Sequence, residues 1–208
     1  MWTLNAEAHR ALKVLCGFAS SPNGFDTLAD VQLRDDMLVA STHYAMATLQ
    51  VTITDEQPRR DAQIMHAGTG GELERVAVPA QDLSRALTAV KARKGQMTSL
   101  IWHHLAQEVA VVRDDDEIRV PARPVTPDSG HPKAEQYLAQ GCENCARPQA
   151  FDWDILGRFA SLAKALYGTN VSMRVLPSSE SVHDVSVVEV HRGGDLWHRL
   201  GVIMERRV

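Results

Sequence analysis

The chain has 208 residues, 44% of them hydrophobic, with 22 Lys and Arg against 26 Asp and Glu for a formal net charge of −4. This suits a globular protein with one large domain or two small ones, and it excludes a surface coated in basic charge while leaving local patches open. No window approaches the roughly 18 uninterrupted apolar residues of a membrane span, and the odd set of Cys16, Cys142 and Cys145 behind an N-terminus without a leader pattern predicts a reducing, cytoplasmic setting.

In chain order, "WTLNAE" reads as a short extended piece ending at Asn5, a residue able to start a helix. Ala8, Ala11, Leu12, Leu15 and then Phe18 or Ala19 recur at three- and four-residue spacing, the stripe of an amphipathic helix. Strands follow in "TLADVQLRD" and "MLVASTHYAMATLQVTIT", turning at Asp35-Asp36, and residues 54–72 read as a linker. A second copy opens at "RVAVPAQ", where Pro79 can begin a helix. It continues through Leu83, Ala86, Leu87 and Val90 to strands in "QMTSLIWHH", "EVAVVRDD" and "EIRVPARPV". After the linker "TPDSGHPKAEQYLAQGCENCARP", a third copy runs from "QAFDWD", with Asp152 as cap, through Leu156, Phe159, Ala160 and Ala163. Its strands lie in "VSMRVLPS", "DVSVVEVHR" and "LWHRLGVIMERRV", with Gly193-Gly194 turning the last pair. Each unit is strand, helix, three strands, which makes the fold class α+β. Residues 1–140 are expected to form one domain of two units (1–55 and 73–126 plus a closing segment), and 141–208 a third unit.

The cations are where the repeat becomes informative. "HRALKVL", "SRALTAV" and "GRFASLA" place Arg10, Arg85 and Arg158 at spacings of 75 and 73 residues. At about 100° per residue each arginine is predicted nearly opposite its apolar stripe, with Lys13 on the same back face and Lys91 and Lys164 flanking it. One such helix back is ordinarily a solvated surface; three in register argue for a shared role. Arg93 and Lys94 complete the cluster at 78–95 but belong to a helix end, where cations favour the dipole.

Other candidates for chemistry are thin. Cys142 and Cys145 form a single C-x-x-C, which with His131 could hold zinc or act as a redox pair, or could be an incidental loop pair. No second C-x-x-C accompanies it, so no metal and no cofactor is expected. His103-His104 falls in a strand pattern that points the rings to opposite faces. The acidic run 114–117 reads as a hairpin turn. There is no nucleophile elbow, P-loop or dinucleotide fingerprint, and no enzymatic activity is expected.

The repeated unit with a basic helix back resembles the bacterial DNA polymerase sliding clamp, the β-type processivity factor. "RVAVPAQDLSRALTAVK" is similar to that family's second half-domain opening, and "PVTPDSGHPKAEQYLAQ" to the stretch that closes a domain. "DTLADVQLRDDMLVASTHYAMATLQV" resembles the first-half strands, although Ser41–Met46 lacks the usual arginine. "GVIMERRV" is similar to the last strand and tail, with Glu205 in place of a proline.

The resemblance implies a DNA-clamp fold of β-α-β-β-β units, helices on one face of curved antiparallel sheets, and a non-enzymatic ring around duplex DNA. It implies DNA contact, without sequence preference, through Arg10, Lys13, Arg85, Lys91, Arg158 and Lys164. It also implies a pocket for polymerase and clamp-loader peptides at Tyr44, Met46, Val202, Ile203, Met204 and Val208. Clamps of this family have twelve units to a ring. Three units per chain therefore imply a homo-oligomeric ring of four chains, the third unit completed by a neighbour. A clamp-like regulator or decoy that binds replication proteins without encircling DNA is the alternative.

Overall fold

The computed structural model describes residues 1–19, 28–34, 36–42, 44–53, 75–125, 137–139, 151–177, 185–193 and 196–204. The first unit starts with β1 (Trp2–Leu4), and the Asn5 side chain then caps α1 (Ala6–Leu15) by accepting from the Ala8 N–H at 2.7 Å. A 3-10 turn, Cys16–Phe18, ends the helix. The strands are β2 (Asp30–Leu33), β3 (Met37–Ser41), β4 (Ala45–Gln50) and β5 (Thr52–Ile53). The segment beginning at Met37 divides because Thr42 makes a turn: its Oγ1 accepts from the N–H groups of Tyr44 and Ala45 at 3.1 and 3.0 Å.

The second unit repeats the plan with β6 (Val76–Pro79), α2 (Ala80–Val90), β7 (Thr98–His103), β8 (Glu108–Arg113), β9 (Asp116–Pro121) and β10 (Arg123–Pro124). Helix α2 stops at Val90 with Lys91 in a left-handed cap (φ 51°), so Lys91, Arg93 and Lys94 lie beyond it. Arg113 pairs with Asp116 in the β8–β9 register, leaving Asp114 and Asp115 as the hairpin turn. In the third unit, Asp152 caps α3 (Trp153–Tyr167) by accepting from the Asp154 N–H at 2.9 Å. Strands β11 (Ser172–Pro177), β12 (Val185–His191) and β13 (His198–Met204) follow.

The first two units are joined by exchange. Strand β1 leaves its own unit to pair antiparallel with β7, placing Trp2 opposite Leu100, and β6 pairs antiparallel with β2, placing Val78 opposite Val31. The short strands β5 and β10 flank β1 and β6 in the same way. The result is a five-stranded sheet, β5-β1-β7-β8-β9, and an eight-stranded sheet, β10-β6-β2-β3-β4-β13-β12-β11. Trp2 Nε1 donates to the Arg34 carbonyl at 2.6 Å and links the two.

The eight-stranded sheet is continuous because the third unit joins the first through β13 and β4: Gly201 faces Ala47, Val202 faces Met46, and Ile203 faces Ala45. Alternation along each strand divides the side chains between two cores. Ala45, Ala47, Leu49, Val188, Val190 and Ile203 face the helices and belong to the main core. Met37, Val39, Met46, Val187 and Val202 form a second cluster on the opposite face, with Tyr137 and Leu138 packed on it. Where β13 crosses β4 only glycine fits. A Cβ on Gly201 would overlap the Met46 carbonyl oxygen and stand 2.9 Å from the Phe159 ring. Phe159 in turn packs on Phe18, ring centroids 4.8 Å apart, closing α3 against the end of α1.

Candidate nucleic-acid face and peptide surface

Arg10, Lys13, Arg85, Lys91, Arg158 and Lys164 are all exposed, but they are not equivalent. Ala6, His9, Ala11, Leu12 and Leu15 are the buried residues of α1, and Ala80, Leu83, Ala86, Leu87 and Val90 those of α2, which leaves Arg10 and Arg85 nearly opposite the core. Each has an acid one turn earlier: Arg10 meets Glu7 at 3.2 Å and Arg85 meets Asp82 at 3.5 Å. Exposed pairs at this spacing contribute only about 0.3–0.5 kcal/mol, so a phosphate can recapture either guanidinium.

The equivalence expected for Arg158 is corrected by the packing of α3. Its buried residues are Phe159, Leu162 and Ala163, whereas Ala160 is exposed. Arg158 is then only ~40° round the helix from Leu162 at about 100° per residue, and its Nη1 donates to the Gly17 carbonyl at the end of α1, 3.0 Å away. The far side of α3 belongs to Lys164. Helices α1 and α3 lie side by side in opposite senses, and a cleft of about 650 Å³ opens between them. Arg10, Lys164 and Arg192 line it, with Glu7 as the one acid and Tyr167 at the end of α3. Arg192 comes from the turn after β12, and nothing in a helical pattern could have marked it. Three cations against one carboxylate leave a local positive excess in a chain that is acidic overall.

Of the six residues expected in a peptide pocket, Tyr44, Met46, Val202 and Met204 come together within one chain. The Met204 N–H donates to the Tyr44 carbonyl at 2.7 Å, extending the β4–β13 ladder. Tyr44 and Met204 are exposed at its margin, while Met46 and Val202 are buried beside each other in the outer cluster. Ile203 is a correction: the two-residue period turns it to the helix side, where it is fully buried in the main core. Val208 lies outside the described residues, as do Cys142 and Cys145. Among the described residues no cluster of His, Cys, Asp or Glu is arranged to hold a metal. Burial pushes the Cys16 thiol up to about 12, which keeps it protonated and a poor nucleophile.

The arrangement matches solved structures over the whole chain. One is a DNA polymerase sliding clamp from Pseudomonas aeruginosa crystallised with a ligand (8% identity, TM-score 0.56, 100% of this chain and 64% of that one). A second is a protein assigned as a DNA polymerase III beta subunit from Eubacterium rectale (7%, 0.63, 100% and 64%). A third is a DNA polymerase III beta-subunit sliding clamp from Bartonella birtlesii (9%, 0.55, 100% and 65%). The chain has the sliding-clamp fold. It spans just under two thirds of the length of these clamp structures. No protein-family model and no curated protein matches it.

Within the clamp fold, His9 makes a contact that the apolar stripe of α1 does not mark. Buried in α1, its Nε2 lies 3.0 Å from the Leu87 carbonyl and its Nδ1 2.8 Å from Thr98 Oγ1. The carbonyl can only accept, so Nε2 carries the hydrogen and Nδ1 accepts from the threonine. Burial holds this imidazole below its ordinary 6.5, against a smaller upward pull from the Leu87 carbonyl. The ring therefore fastens α1 to α2 and β7 as a neutral group. A histidine inside an apolar stripe is the only sequence signal for it; the partners on Leu87 and Thr98 become neighbours through the strand exchange. No helix is long and apolar enough to cross a membrane, among the described residues.

Proposed function

We propose that this chain is a non-enzymatic DNA sliding clamp. It surrounds duplex DNA as a homo-oligomeric ring in the cytoplasm and tethers a replicative polymerase. The observation that carries the reading is the cleft between α1 and α3. There Arg10, Lys164 and Arg192 concentrate positive charge on the helical side of a continuous sheet. Cations held near phosphates attract duplex irrespective of sequence, and the absence of base readout permits sliding. Lys13, Arg85 and Lys91 extend the surface along α1 and past α2, and Arg158 serves the α1–α3 contact. A net charge of −4 keeps the outer wall from holding nucleic acid. Tethering raises the effective concentration of polymerase at its template without catalytic residues.

With twelve units to a ring, four copies of a three-unit chain close it, the third unit completed by a neighbour. On the opposite face, the surface around Tyr44, Met46, Val202, Met204 and Val208 receives peptides of the polymerase and clamp loader. The deciding measurement is retention after loading on closed and on linearised circular DNA. A ring stays on the closed circle and leaves the linear one, whereas equal retention on both sinks the proposal. A second reading is a clamp-like regulator that binds replication proteins without encircling DNA. That reading predicts peptide binding with no topological retention.

A further inference from the structure

The second apolar cluster lies on the sheet face away from the helices, yet Met46 and Val202 at its centre are only 3% and 6% exposed. Tyr137 and Leu138, from the linker before the third unit, pack on it. The attachment has a polar latch. Arg199 Nη1 donates to the Leu138 carbonyl at 2.6 Å, and its Nε donates to Glu189 Oε1 at 3.3 Å. Glu189 is buried and also accepts from Arg174 Nε at 2.9 Å, while the Arg174 guanidinium lies 4.2 Å over the Trp197 ring. A buried carboxylate needs a cationic partner, and Arg174, stacked on Trp197, already supplies it. Arg199 is thus held in place by Glu189 with donors left over for a main-chain carbonyl. A latch that grips a carbonyl reads backbone, so any peptide able to lie along this surface can use it.

Among the described residues, this segment meets the surface through the Tyr137 and Leu138 side chains and the Leu138 carbonyl. We propose that Tyr137–Leu138 is an internal ligand of this surface. In cis it fills the place that, in trans, takes an extended peptide with two adjacent bulky apolar residues and a carbonyl for Arg199. Partner binding is then an exchange, with the tethered segment competing at the high effective concentration of an intramolecular ligand. The inference rests on the reading of the Met46–Val202 surface as a partner-peptide site.

The test uses the full chain and, as probe, a fluorescent synthetic peptide of residues 133–141. The Tyr137→Ala/Leu138→Ala double variant should bind this peptide at least tenfold more tightly than the unaltered chain. A peptide carrying the same two alanines should not bind. A carbon-13-labelled Met46 methyl should shift in the variant and return towards its original position as peptide is added. Equal affinity in the two proteins, or a methyl signal that does not return, overturns the proposal. If the double variant is unfolded by circular dichroism, Leu138→Ala alone serves, with a gain of threefold or more expected and no gain decisive against it. Retention on closed circular DNA is scored in parallel. Failed exchange with intact retention removes the internal ligand and leaves the clamp standing; lost retention removes the clamp reading itself.

Discussion

Arg158 and Lys164 lie on the same helix and meet different surroundings, and that difference sets separate expectations for them. Lys164→Glu and Arg10→Glu should each weaken duplex binding and lower the slope of log affinity against log salt by about 1 per lost phosphate contact, measured by fluorescence anisotropy over a salt series. Arg158→Glu should leave that slope unchanged, because its guanidinium is spent on the Gly17 carbonyl; a fall as large as that of Lys164→Glu would return Arg158 to the DNA face. His9 makes a prediction about acid. Its folded-state pKa lies below 6.5, so the unfolded chain binds more protons on acidification and stability falls as pH drops below about 6.5 towards the folded value. Above that pH its contribution is complete. His9→Leu leaves the Thr98 hydroxyl and Leu87 carbonyl without the ring and should cost about 1–3 kcal/mol by urea unfolding, with a flatter pH dependence between 5 and 7. The sequence marked Arg10 and Arg85 because a surface position depends only on helical period. It could not place Arg158, because the rotation of α3 is set by Phe18 and the sheet beneath Phe159.

Elements were the most legible scale. Caps at Asn5 and Asp152 and the opening at Pro79 are local chemistry, and each occurs where its residues predict; the turn after β8 is confined to Asp114 and Asp115, while Asp116 and Glu117, expected within it, begin β9. The boundaries that differ have tertiary or turn-level causes: Thr42 divides β3 from β4 with a hydroxyl, and α2 ends at Val90 although the cations beyond it continue a helical composition. The junction of β4 with β13 is the element-level feature most sensitive to substitution. Gly201→Ala forces a methyl against the Met46 carbonyl oxygen and should destabilise by about 1–3 kcal/mol. Phe159→Ala removes the ring packed on Phe18 and should cost about 3–5 kcal/mol. Both are measurable by denaturant unfolding, and a loss below 0.5 kcal/mol for either would show that the junction repacks freely. Opposition of Met46 and Val202 was readable only as a demand that remote segments meet; nothing in two strands separated by over 150 residues states their register.

At the scale of the molecule, the described residues leave β9 at one end of the five-stranded sheet and β11 at one end of the eight-stranded sheet. Exposed strand edges invite pairing with another chain, and four copies are the expected assembly by native mass spectrometry at micromolar concentration. A monomer would overturn the ring, and a dimer or trimer would revise the unit count. The repeat made a helix followed by strands legible in each unit, although the strand expected before α3 is not seen among the described residues; the reciprocal use of leading strands by the first two units was not legible, because a leading strand looks the same whichever sheet receives it. That reciprocity governs the order of events during synthesis. Trp2 is made well before Leu100, and its strand has no neighbour on one side until Leu100 has been translated. Pairings this remote in sequence are slow to close, and a nascent chain holds its first unit incomplete until most of the second has left the ribosome. The first two units therefore reach their native state together, and a chain cut between them should regain structure only when both pieces are present.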